Sequence, residues 1–516
     1  MLRHTASRLV RGSLSYPRIS RAAFATKFDL QHSPVPLTKI VATIGPTSEQ
    51  AEPLKECVNA GMGLMRLNFS HATPEEVHLR CTNLAAADCG HNVSILLDTK
   101  GPELRTGKLA NDVSGHDTVD MVEGTTVTLH AQADTLPDAA GSTATDLLIQ
   151  FPVLAQVLEP GRQVLLDDGA VVLKVVSVLD TGRVETVVQH PGSVRSRAGV
   201  NLPKADTAAH LPALSEKDKA DIAFGMEHAD IDFVAASFVQ TAQHVEDIRS
   251  HCEALAKSLP NWTGKPIPHI ISKIETATAL DNFDEILAAS DGIMVARGDV
   301  RDSNLRDRLV SRYSCSFQLG VEIPLVQVTV AQKEMVRACK AAGKPVIVAT
   351  QMLETMTKKY APTRAEVADV TNAVVDGADC VMLSGETAKG IAPANVISTM
   401  QQICTAAEYS TSGRPAEVSA TSSSPLAQAV VAASAGADAI LTANAALASV
   451  VSGGRPSAPI FANCTSPKEA RMLQICRGVV PVVDSADLVE MAKKQLGSGK
   501  TAVLVDSQER LSMVTL

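Results

Sequence analysis

One pattern recurs eight times along this chain. A short apolar run rich in β-branched residues ends abruptly in polar or glycine residues, and a helical stretch follows. The runs are KIVATIGP (39–46), LMRLNFSH (64–71), ILLDTKGP (95–102), IDFVAASF (231–238), IISKIE (270–275), GIMVARGD (292–299), VIVATQM (346–352) and CVMLSGET (380–387). Continuous rather than alternating apolarity indicates strands buried on both faces, as in a parallel sheet. The pattern therefore predicts an α/β fold, a closed (β/α)8 TIM barrel. An open doubly wound sheet is the alternative, with its chemistry near one switch point.

Charged residues collect where these runs end. They are Arg66, Asp98, Lys100, Lys273, Glu275, Arg297, Asp299 and Glu386. In α/β barrels the active site lies at the C-terminal ends of the strands. The sequence therefore predicts one site built from a full ring of strand ends.

Two segments interrupt the repeat. Residues 108–203 are rich in Val, Thr, Asp and Gly and alternate like antiparallel strands, which predicts a small β-barrel lid inserted into the main barrel. The catalytic barrel would then comprise residues 29–107 and 204–407. A stretch rich in Ser, Thr, Pro and Gly at 410–425 marks a linker, and residues 408–516 are expected to form a C-terminal α/β domain.

The first 28 residues differ from the rest of the chain. They contain arginines and serines, and no acidic residue precedes Asp29. This composition is typical of an organellar transit peptide, with a disordered basic tail as the alternative. The arginine density favours a mitochondrial destination over a plastid or the cytoplasm.

Composition argues against several functional classes. A net charge of -9 and an isoelectric point near 5.8 do not suit nucleic-acid binding, which requires a basic face. No apolar run reaches the roughly 18 residues of a membrane-spanning helix, so we expect no membrane partner. The ten cysteines form no CxxC pair, which favours a reducing compartment.

Lys273 and Glu275 lie two residues apart in one predicted strand, so their side chains point the same way. A structural ion pair is the simpler interpretation. Asp299 ends the next strand, and together with Glu275 it would form a carboxylate pair suited to Mg²⁺. Lys273 would then neutralise a phosphoryl group in transfer, a reaction that relies on positioning and electrostatics.

A second group of oxygen donors ends the second and third runs. Asn68, Ser70, Asp98 and Thr99 together carry only one charge. Several neutral oxygens with one carboxylate suit a monovalent cation better than a divalent one.

Several long segments resemble one known family. The segments TKIVATIGP, RLNFSH, LDTKGPELRTG, LLDDG, VNLP, LPALSEKD, ISKIE, ASDGIMVARGD, AGKPVIVATQMLE, PTRAE and DGADCVMLSGETAKG resemble pyruvate kinases, in that family's order, over about residues 38–405. The resemblance implies a barrel, a lid inserted after its third strand and a C-terminal domain. It also implies phosphoryl transfer between phosphoenolpyruvate and ADP, giving pyruvate and ATP, in a homotetramer.

The resemblance also implies roles for individual residues. Lys273, Arg66 and Thr350 would be catalytic, and phosphoenolpyruvate would meet these three together with Gly298 and Asp299. Nucleotide phosphates would meet Asn68, His71 and Arg105. Glu275 and Asp299 would hold Mg²⁺, and the ligands of K⁺ would be Asn68, Ser70, Asp98 and Thr99. Glu103 resembles the potassium-dependent version of the family.

One segment departs from the family. The strand-ending RGD normally continues through Leu to GVEIP, whereas here Val300–Gln318 intervenes before LGVEIP. This insertion adjoins the predicted metal ligand Asp299. Valine codons begin with GT and one glutamine codon is CAG, so both edges are compatible with splice sites. We hypothesise that the segment is an intron retained in the predicted gene.

Three functional hypotheses remain open from the sequence. The first is an active organellar pyruvate kinase that requires Mg²⁺ and K⁺. The second is a catalytically impaired paralogue that acts as a binding or regulatory subunit, which the insertion favours. The third is a different lyase that handles phosphoenolpyruvate or pyruvate on the same barrel.

Overall fold

The computed structural model describes residues 35–87, 93–112, 117–131, 136, 140–167, 169–180, 182–203, 205, 207–297, 323, 325–411, 424–483 and 487–516. The predicted transit peptide at 1–28, Gly298, Asp299 and Val300–Gln318 lie outside these residues. The chain divides into Met1–Pro34 and Val35–Leu516, and all the described elements belong to the second unit.

The described chain begins with alternating strands and helices. The elements are β1 (Lys39–Thr43), α1 (Ala51–Asn59), β2 (Met62–Asn68), α2 (Pro74–Ala86) and β3 (Ser94–Asp98). Local sequence fixes the start of α2, because the Thr73 hydroxyl accepts a hydrogen bond from the Glu76 amide and the Glu76 carboxylate accepts one from the Thr73 amide. Pro74 occupies the first helical turn, where its missing N–H leaves no bond unmade.

The inserted segment is mainly β structure. Its elements are β4 (Thr118–Met121), β5 (Thr126–His130), β6 (Asp146–Leu148), α3 (Leu154–Val157), β7 (Gln163–Leu166), β8 (Val171–Val178), β9 (Arg183–His190), β10 (Gly192–Arg195) and β11 (Val200–Asn201). Six strands form a sheet in the order β11-β7-β8-β9-β5-β6, and β10 pairs with β4. Both parts share one apolar core. The predicted β lid is therefore present, although its described ladders are a sheet and a ribbon rather than one closed barrel.

The remaining barrel elements alternate again. They are α4 (Glu216–His228), β12 (Phe233–Ala236), α5 (Ala242–Ser258), β13 (His269–Ile274), α6 (Ala277–Asp281), α7 (Phe283–Ala289), β14 (Gly292–Ala296), α8 (Leu325–Ala342), β15 (Val346–Ala349), α9 (Arg364–Asp376), β16 (Cys380–Leu383), α10 (Gly385–Ala388) and α11 (Pro393–Thr411). Each of the eight predicted runs thus overlaps a strand.

Eight parallel strands close a barrel in the order β1-β16-β15-β14-β13-β12-β3-β2. Closure confirms the TIM barrel and excludes the open doubly wound sheet. Alternate residues along the strands pack into two different cores. Val41 and Leu64 pack inside the barrel, whereas Ile40 and Met65 pack under the helices. Both faces of each strand are therefore buried, which is why the runs are continuously apolar.

The C-terminal segment is a second α/β layer. Its elements are α12 (Pro425–Ala433), β17 (Ala439–Thr442), α13 (Ala445–Gly453), β18 (Ile460–Cys464), α14 (Pro467–Met472), β19 (Val479–Val483), α15 (Leu488–Leu496), β20 (Thr501–Val505) and β21 (Leu511–Thr515). The sheet order is β19-β18-β17-β20-β21, and only the β20–β21 pair is antiparallel. No helix among the described residues is long and apolar enough to cross a membrane.

The C-terminal segment packs on the N-terminal ends of the barrel strands. Ile440 and Ile460 belong to the same apolar cluster as the barrel-interior residues. The Lys39 ammonium, at the start of β1, donates to the Val479 carbonyl at 2.5 Å. The C-terminal segment therefore does not cover the opposite, C-terminal ends of the barrel strands, where a site can form.

Candidate active site

A cavity of about 390 Å³ opens at the C-terminal ends of the barrel strands. The barrel-interior side chains Met294 and Met382 line it. Polar residues at or just after the strand ends line it as well: Thr43, Arg66, Asn68, Lys273, Glu275 and Thr350. The strand-end rule therefore identified the correct face of the barrel, and the cavity holds several of the predicted site residues.

Lys273 is the central cation of this cavity. Its ammonium lies 3.1 Å from Asp98 Oδ1, 3.1 Å from Glu275 Oε1 and 2.8 Å from Ser237 Oγ. Only 5% of the residue is exposed. The positive charge is thus held on β13 in a poorly solvated position, where it acts more strongly than it would in water.

Arg66 reaches the same cluster from the end of β2. Its Nε donates to Asp98 Oδ2 at 2.7 Å, and its Nη1 donates to Thr43 Oγ1 at 2.9 Å. Burial disfavours ionisation of Asp98, but Arg66 and Lys273 outweigh burial and hold the pKa of Asp98 below its ordinary value. Asp98 is therefore an ionised bridge between the two cations.

Glu275 is in a different electrostatic position. Its Oε1 contacts Lys273, and its Oε2 accepts a hydrogen bond from the Phe238 amide at 2.9 Å. Burial raises the pKa of Glu275, and these two contacts offset burial only in part. The carboxylate gains from any further cation beside it.

The four predicted oxygen donors lie on neighbouring strand ends, because Asn68 pairs with Asp98 in the β2–β3 register. Asn68 Oδ1 accepts a hydrogen bond from the Ser70 amide at 3.1 Å. The Thr99 hydroxyl accepts one from the Ser237 amide at 3.0 Å. Within the part of the chain that the structure describes, no group of three or more His, Cys, Asp or Glu residues could hold a metal ion.

Thr350 lies in an unusual turn after β15. Both Thr350 and Gln351 adopt left-handed backbone conformations, with φ of 71° and 55°. Arg297 holds this turn from the end of β14, donating to the carbonyl oxygens of Ala349 at 3.1 Å and Thr350 at 2.6 Å. Arg297 also pairs with Asp369 Oδ1 at 2.6 Å. Such strain persists only where neighbouring groups enforce it, as the Arg297 contacts do here.

The predicted nucleotide contacts lie at the edge of the site. Arg105 donates to the Glu103 carboxylate and, at 2.9 Å, to the Arg197 carbonyl in the inserted segment. His71 is exposed at the cavity. Partial burial lowers the pKa of His71, and so do the nearby cations, which are Arg66, Arg105, Lys100 and Lys389. This edge is therefore cationic without a charged histidine.

One residue of the site, Ser237, was missed from the sequence. Ser237 joins Lys273, Asp98 and Thr99, and its Oγ donates to the Thr99 carbonyl at 2.7 Å. The strand-end rule would have found Ser237, had it been applied to neutral polar residues as well as charged ones. Glu386, which the rule did single out, accepts hydrogen bonds from the amides of Leu353 and Ser384 and so fixes two loops.

Comparison with known proteins identifies the family of the barrel. The family model described as "Pyruvate kinase, barrel domain" matches residues 35–302 and 312–397. The match is interrupted only inside the segment Val300–Gln318, where the sequence already departs from the family's motifs. The matched residues account for more than half of the chain.

Whole-chain relatives agree with this match. A pyruvate kinase of Hypocrea jecorina is 40% identical over 462 residues, which are 86% of this chain and 78% of that protein. Human pyruvate kinase PKLR is 40% identical over 480 residues, covering 88% of this chain and 77% of the relative. A solved pyruvate kinase structure from Cryptosporidium parvum superposes with a TM-score of 0.81 at 32% identity and covers 93% of this chain and 96% of that one. The chain therefore belongs to the pyruvate kinase family.

Proposed function

We propose that the cavity transfers a phosphoryl group from phosphoenolpyruvate to ADP, giving pyruvate and ATP. The observation that carries this proposal is the buried Lys273 ammonium, held 3.1 Å from both Asp98 and Glu275 in a cavity lined by Arg66 and Thr350. Phosphoryl transfer depends mainly on positioning and on neutralising charge. A preorganised ammonium in a poorly solvated cavity provides that neutralisation without reorganisation.

The remaining catalytic roles follow from charge and position. Arg66 is already oriented by Asp98 and Thr43, so its guanidinium meets the anionic substrate without losing further freedom. Thr350 borders the cavity on a turn that Arg297 fixes. Loss of the phosphoryl group releases an enolate that collapses to the ketone, which drives the reaction towards ATP. Gly298 and Asp299 would complete the phosphoenolpyruvate site from the end of β14.

We propose Mg²⁺ and K⁺ as cofactors. The donors fit: Glu275 is a buried carboxylate whose pKa burial raises, and Asp299 would supply a second carboxylate oxygen. Mg²⁺ held there would polarise the phosphoryl oxygens and offset their charge. Asn68, Ser70, Asp98 and Thr99 would hold K⁺, and the lowered pKa of Asp98 keeps the one charged donor ionised.

Nucleotide phosphates are proposed to meet Asn68, His71 and Arg105. Arg105 is anchored by the Glu103 carboxylate and by the Arg197 carbonyl, so the inserted lid contributes to its orientation. Asn68 and His71 line the cavity together with Arg66. ADP would thus lie between the barrel and the lid.

A lactate-dehydrogenase-coupled assay of residues 29–516 tests the proposal, with phosphoenolpyruvate, ADP, Mg²⁺ and K⁺. The chain is compared with a variant that lacks Val300–Gln318. Turnover in the shortened chain, dependent on both cations, is the expected result. Turnover in both chains would mean that the insertion is tolerated. Silence in both, with folded protein, would contradict the proposed activity.

A catalytically impaired paralogue is the second candidate. The interruption of the family match at 303–311 favours it, because this interruption lies inside the segment Val300–Gln318, which adjoins the proposed metal ligand Asp299. Sequencing of messenger RNA across codons 300–318 separates the cases. A spliced message that joins Asp299 to Leu319 supports the retained intron, and a message read through the segment would refute it.

Localisation and assembly are further proposals. We propose that residues 1–28 direct the chain to mitochondria and that the mature protein is a homotetramer. Fusion of residues 1–28 to a fluorescent protein is expected to give mitochondrial signal, with plastid or cytoplasmic signal as the opposing outcome. Light scattering of residues 29–516 is expected to give four times the chain mass.

A further inference from the structure

The start of α2 forms a polar rim on the cavity. Thr73, Glu76 and Arg80 line it there, beyond His71 along the chain. None of these three has a role in the phosphoryl transfer proposed above. Charged side chains that face a substrate cavity without a part in the chemistry are candidates for recognising the rest of the substrate.

The rim is held in place by its own contacts. Arg80 Nη2 lies 2.8 Å from Glu49 Oε2 and 3.5 Å from Glu76 Oε2, and the Arg80 side chain is only 5% exposed. Glu76 Oε2 also accepts the Thr73 amide at 3.0 Å in the capping box. The Glu76 side chain is 40% exposed, and within the described chain its Oε1 has no hydrogen-bond partner. One carboxylate oxygen is thus fixed while the other remains available.

We propose that Glu76 reads the nucleobase of the acceptor and selects guanine over adenine. The inference rests on the proposed binding of a nucleoside diphosphate at this site. Its phosphates would lie at Asn68, His71 and Arg105, and the same cavity continues from His71 to Glu76. A base at the rim would present its Watson–Crick edge to a carboxylate that Arg80 and Thr73 hold still.

The chemistry of the bases gives the direction of selectivity. Guanine presents two adjacent donors, N1–H and the 2-amino group, and both can donate to the one available oxygen of Glu76, Oε1. Adenine presents one amino donor beside the N1 acceptor, which repels a carboxylate oxygen. Hypoxanthine keeps N1–H and lacks the 2-amino group. A well-oriented contact with both donors of the base edge discriminates between bases by about tenfold.

The test compares GDP, IDP and ADP with the full chain, both as acceptors in the coupled assay and as ligands in titration calorimetry with Mg²⁺. Glu76→Gln is the test variant, because glutamine preserves the reach and the capping box and removes the charge. Glu75→Gln is the matched control, since Glu75 lies in the same helical turn, is exposed and does not line the cavity.

We expect affinity in the order GDP, IDP, ADP, with the GDP-to-ADP ratio falling about tenfold in Glu76→Gln and unchanged in Glu75→Gln. An equal ratio in the wild type and Glu76→Gln overturns the inference, as does absence of binding by all three nucleotides. If ADP is turned over but the GDP-to-ADP ratio is the same in Glu76→Gln as in the wild type, base selection is refuted and the proposed phosphoryl transfer is supported. Selective binding without turnover supports base selection and refutes the proposed phosphoryl transfer.

Discussion

Asp98 and Glu275 both lie 3.1 Å from the same ammonium, yet their pKa values shift in opposite directions. Asp98 has two cationic neighbours, Arg66 and Lys273, which outweigh its burial. Glu275 has Lys273 and one backbone amide, which do not. Asp98 therefore bridges two cations, whereas the pKa of Glu275 stays raised because burial and the nearby charge of Asp98 outweigh its two contacts.

Replacing Lys273 tests the central charge. Lys273→Met is expected to lower kcat by at least 10²–10³-fold, the order found for one preorganised donor, because the transferring group loses its cation. Mg²⁺ binding, measured by titration calorimetry, is expected to persist. Lys219→Met is the matched control, since the Lys219 side chain is 44% exposed and, among the described residues, its ammonium pairs with Glu216. Full turnover in Lys273→Met would refute the assigned role.

Arg297 is a positioning residue for the Thr350 turn. Arg297→Ala is expected to lower kcat/KM for phosphoenolpyruvate on the order of 10²-fold, because the turn carrying Thr350 loses both carbonyl contacts. Arg297→Lys retains the charge without the planar fork, so only partial recovery is expected. Steady-state kinetics with exposed Arg364→Ala as control would measure this. Unchanged kinetics in Arg297→Ala would show that the Thr350 turn keeps its conformation without Arg297.

At the scale of elements, polar side chains with defined contacts lie at both ends of the barrel strands. Three aspartates, Asp232, Asp291 and Asp379, precede strands, and each accepts the amide of a residue in a neighbouring strand, Ile95, Ile270 and Val346 respectively. The C-terminal ends carry the polar groups that line the cavity. In the loop after β3, glycine occupies a position where a side chain would clash with Phe238 and Ser237.

Gly101 and Gly264 offer a matched pair of substitutions. Both have left-handed backbones, with φ of 75° and 77°. A Cβ on Gly264 meets nothing within 4 Å, whereas one on Gly101 would lie 2.5 Å from the Phe238 ring and 2.9 Å from Ser237 Cβ. Gly264→Ala is expected to lower the free energy of unfolding by about 1 kcal/mol from backbone strain alone.

Gly101→Ala is expected to lose a further 1–3 kcal/mol, about the cost of overpacking, and to lower activity because Ser237 contacts Lys273. Urea denaturation and the coupled assay would measure both effects. Equal stability and activity in the two variants would contradict the proposed contact between this loop and the site.

The whole molecule is held together across the N-terminal end of the barrel. Asp232 lies 2.9 Å from the Lys468 ammonium and 3.0 Å from Arg471 Nε, and Asp230 lies 2.6 Å from Arg471 Nη2. On the same barrel end, Arg455 pairs with Asp379 at 2.5 Å. These pairs join the C-terminal segment to the barrel around a continuous apolar cluster. Breaking one such pair is therefore expected to destabilise both parts together.

Asp230 gives this contact a pH dependence. Burial opposes its ionisation, but Lys468, Arg471 and Lys265 outweigh burial and lower the pKa of Asp230 from 3.8. Its stabilising contribution is therefore present above pH 3.8 and is lost as the pH falls through the folded-state pKa. Asp230→Asn is expected to lower the free energy of unfolding by about 1 kcal/mol at pH 7, because the group is partly exposed.

The loss of unfolding free energy in Asp230→Asn should shrink as the pH falls below 3.8, where the Asp230 carboxyl of the unfolded wild-type chain is protonated. Urea denaturation between pH 7 and pH 3, with exposed Glu253→Gln as control, would measure it. A difference between wild type and Asp230→Asn that stays constant across this range would exclude the ion pairs as its cause.

The sequence by itself determined the barrel, because strands buried on two faces must be continuously apolar. The polar residues that follow each apolar run marked the ends of the strands. The sequence also located Arg66, Asp98, Lys273 and Glu275, since parallel strands bring their C-terminal ends together whatever the distance along the chain.

The tertiary structure decided which side chains pair. The Ser237 contact to Lys273, the Arg297 contact to Asp369 and the Arg471 contact to Asp232 join residues far apart in sequence. Their choice depends on rotamers and on burial that only the packed molecule defines. The left-handed turn at Thr350 likewise depends on a distant residue, Arg297, which donates to the Thr350 carbonyl.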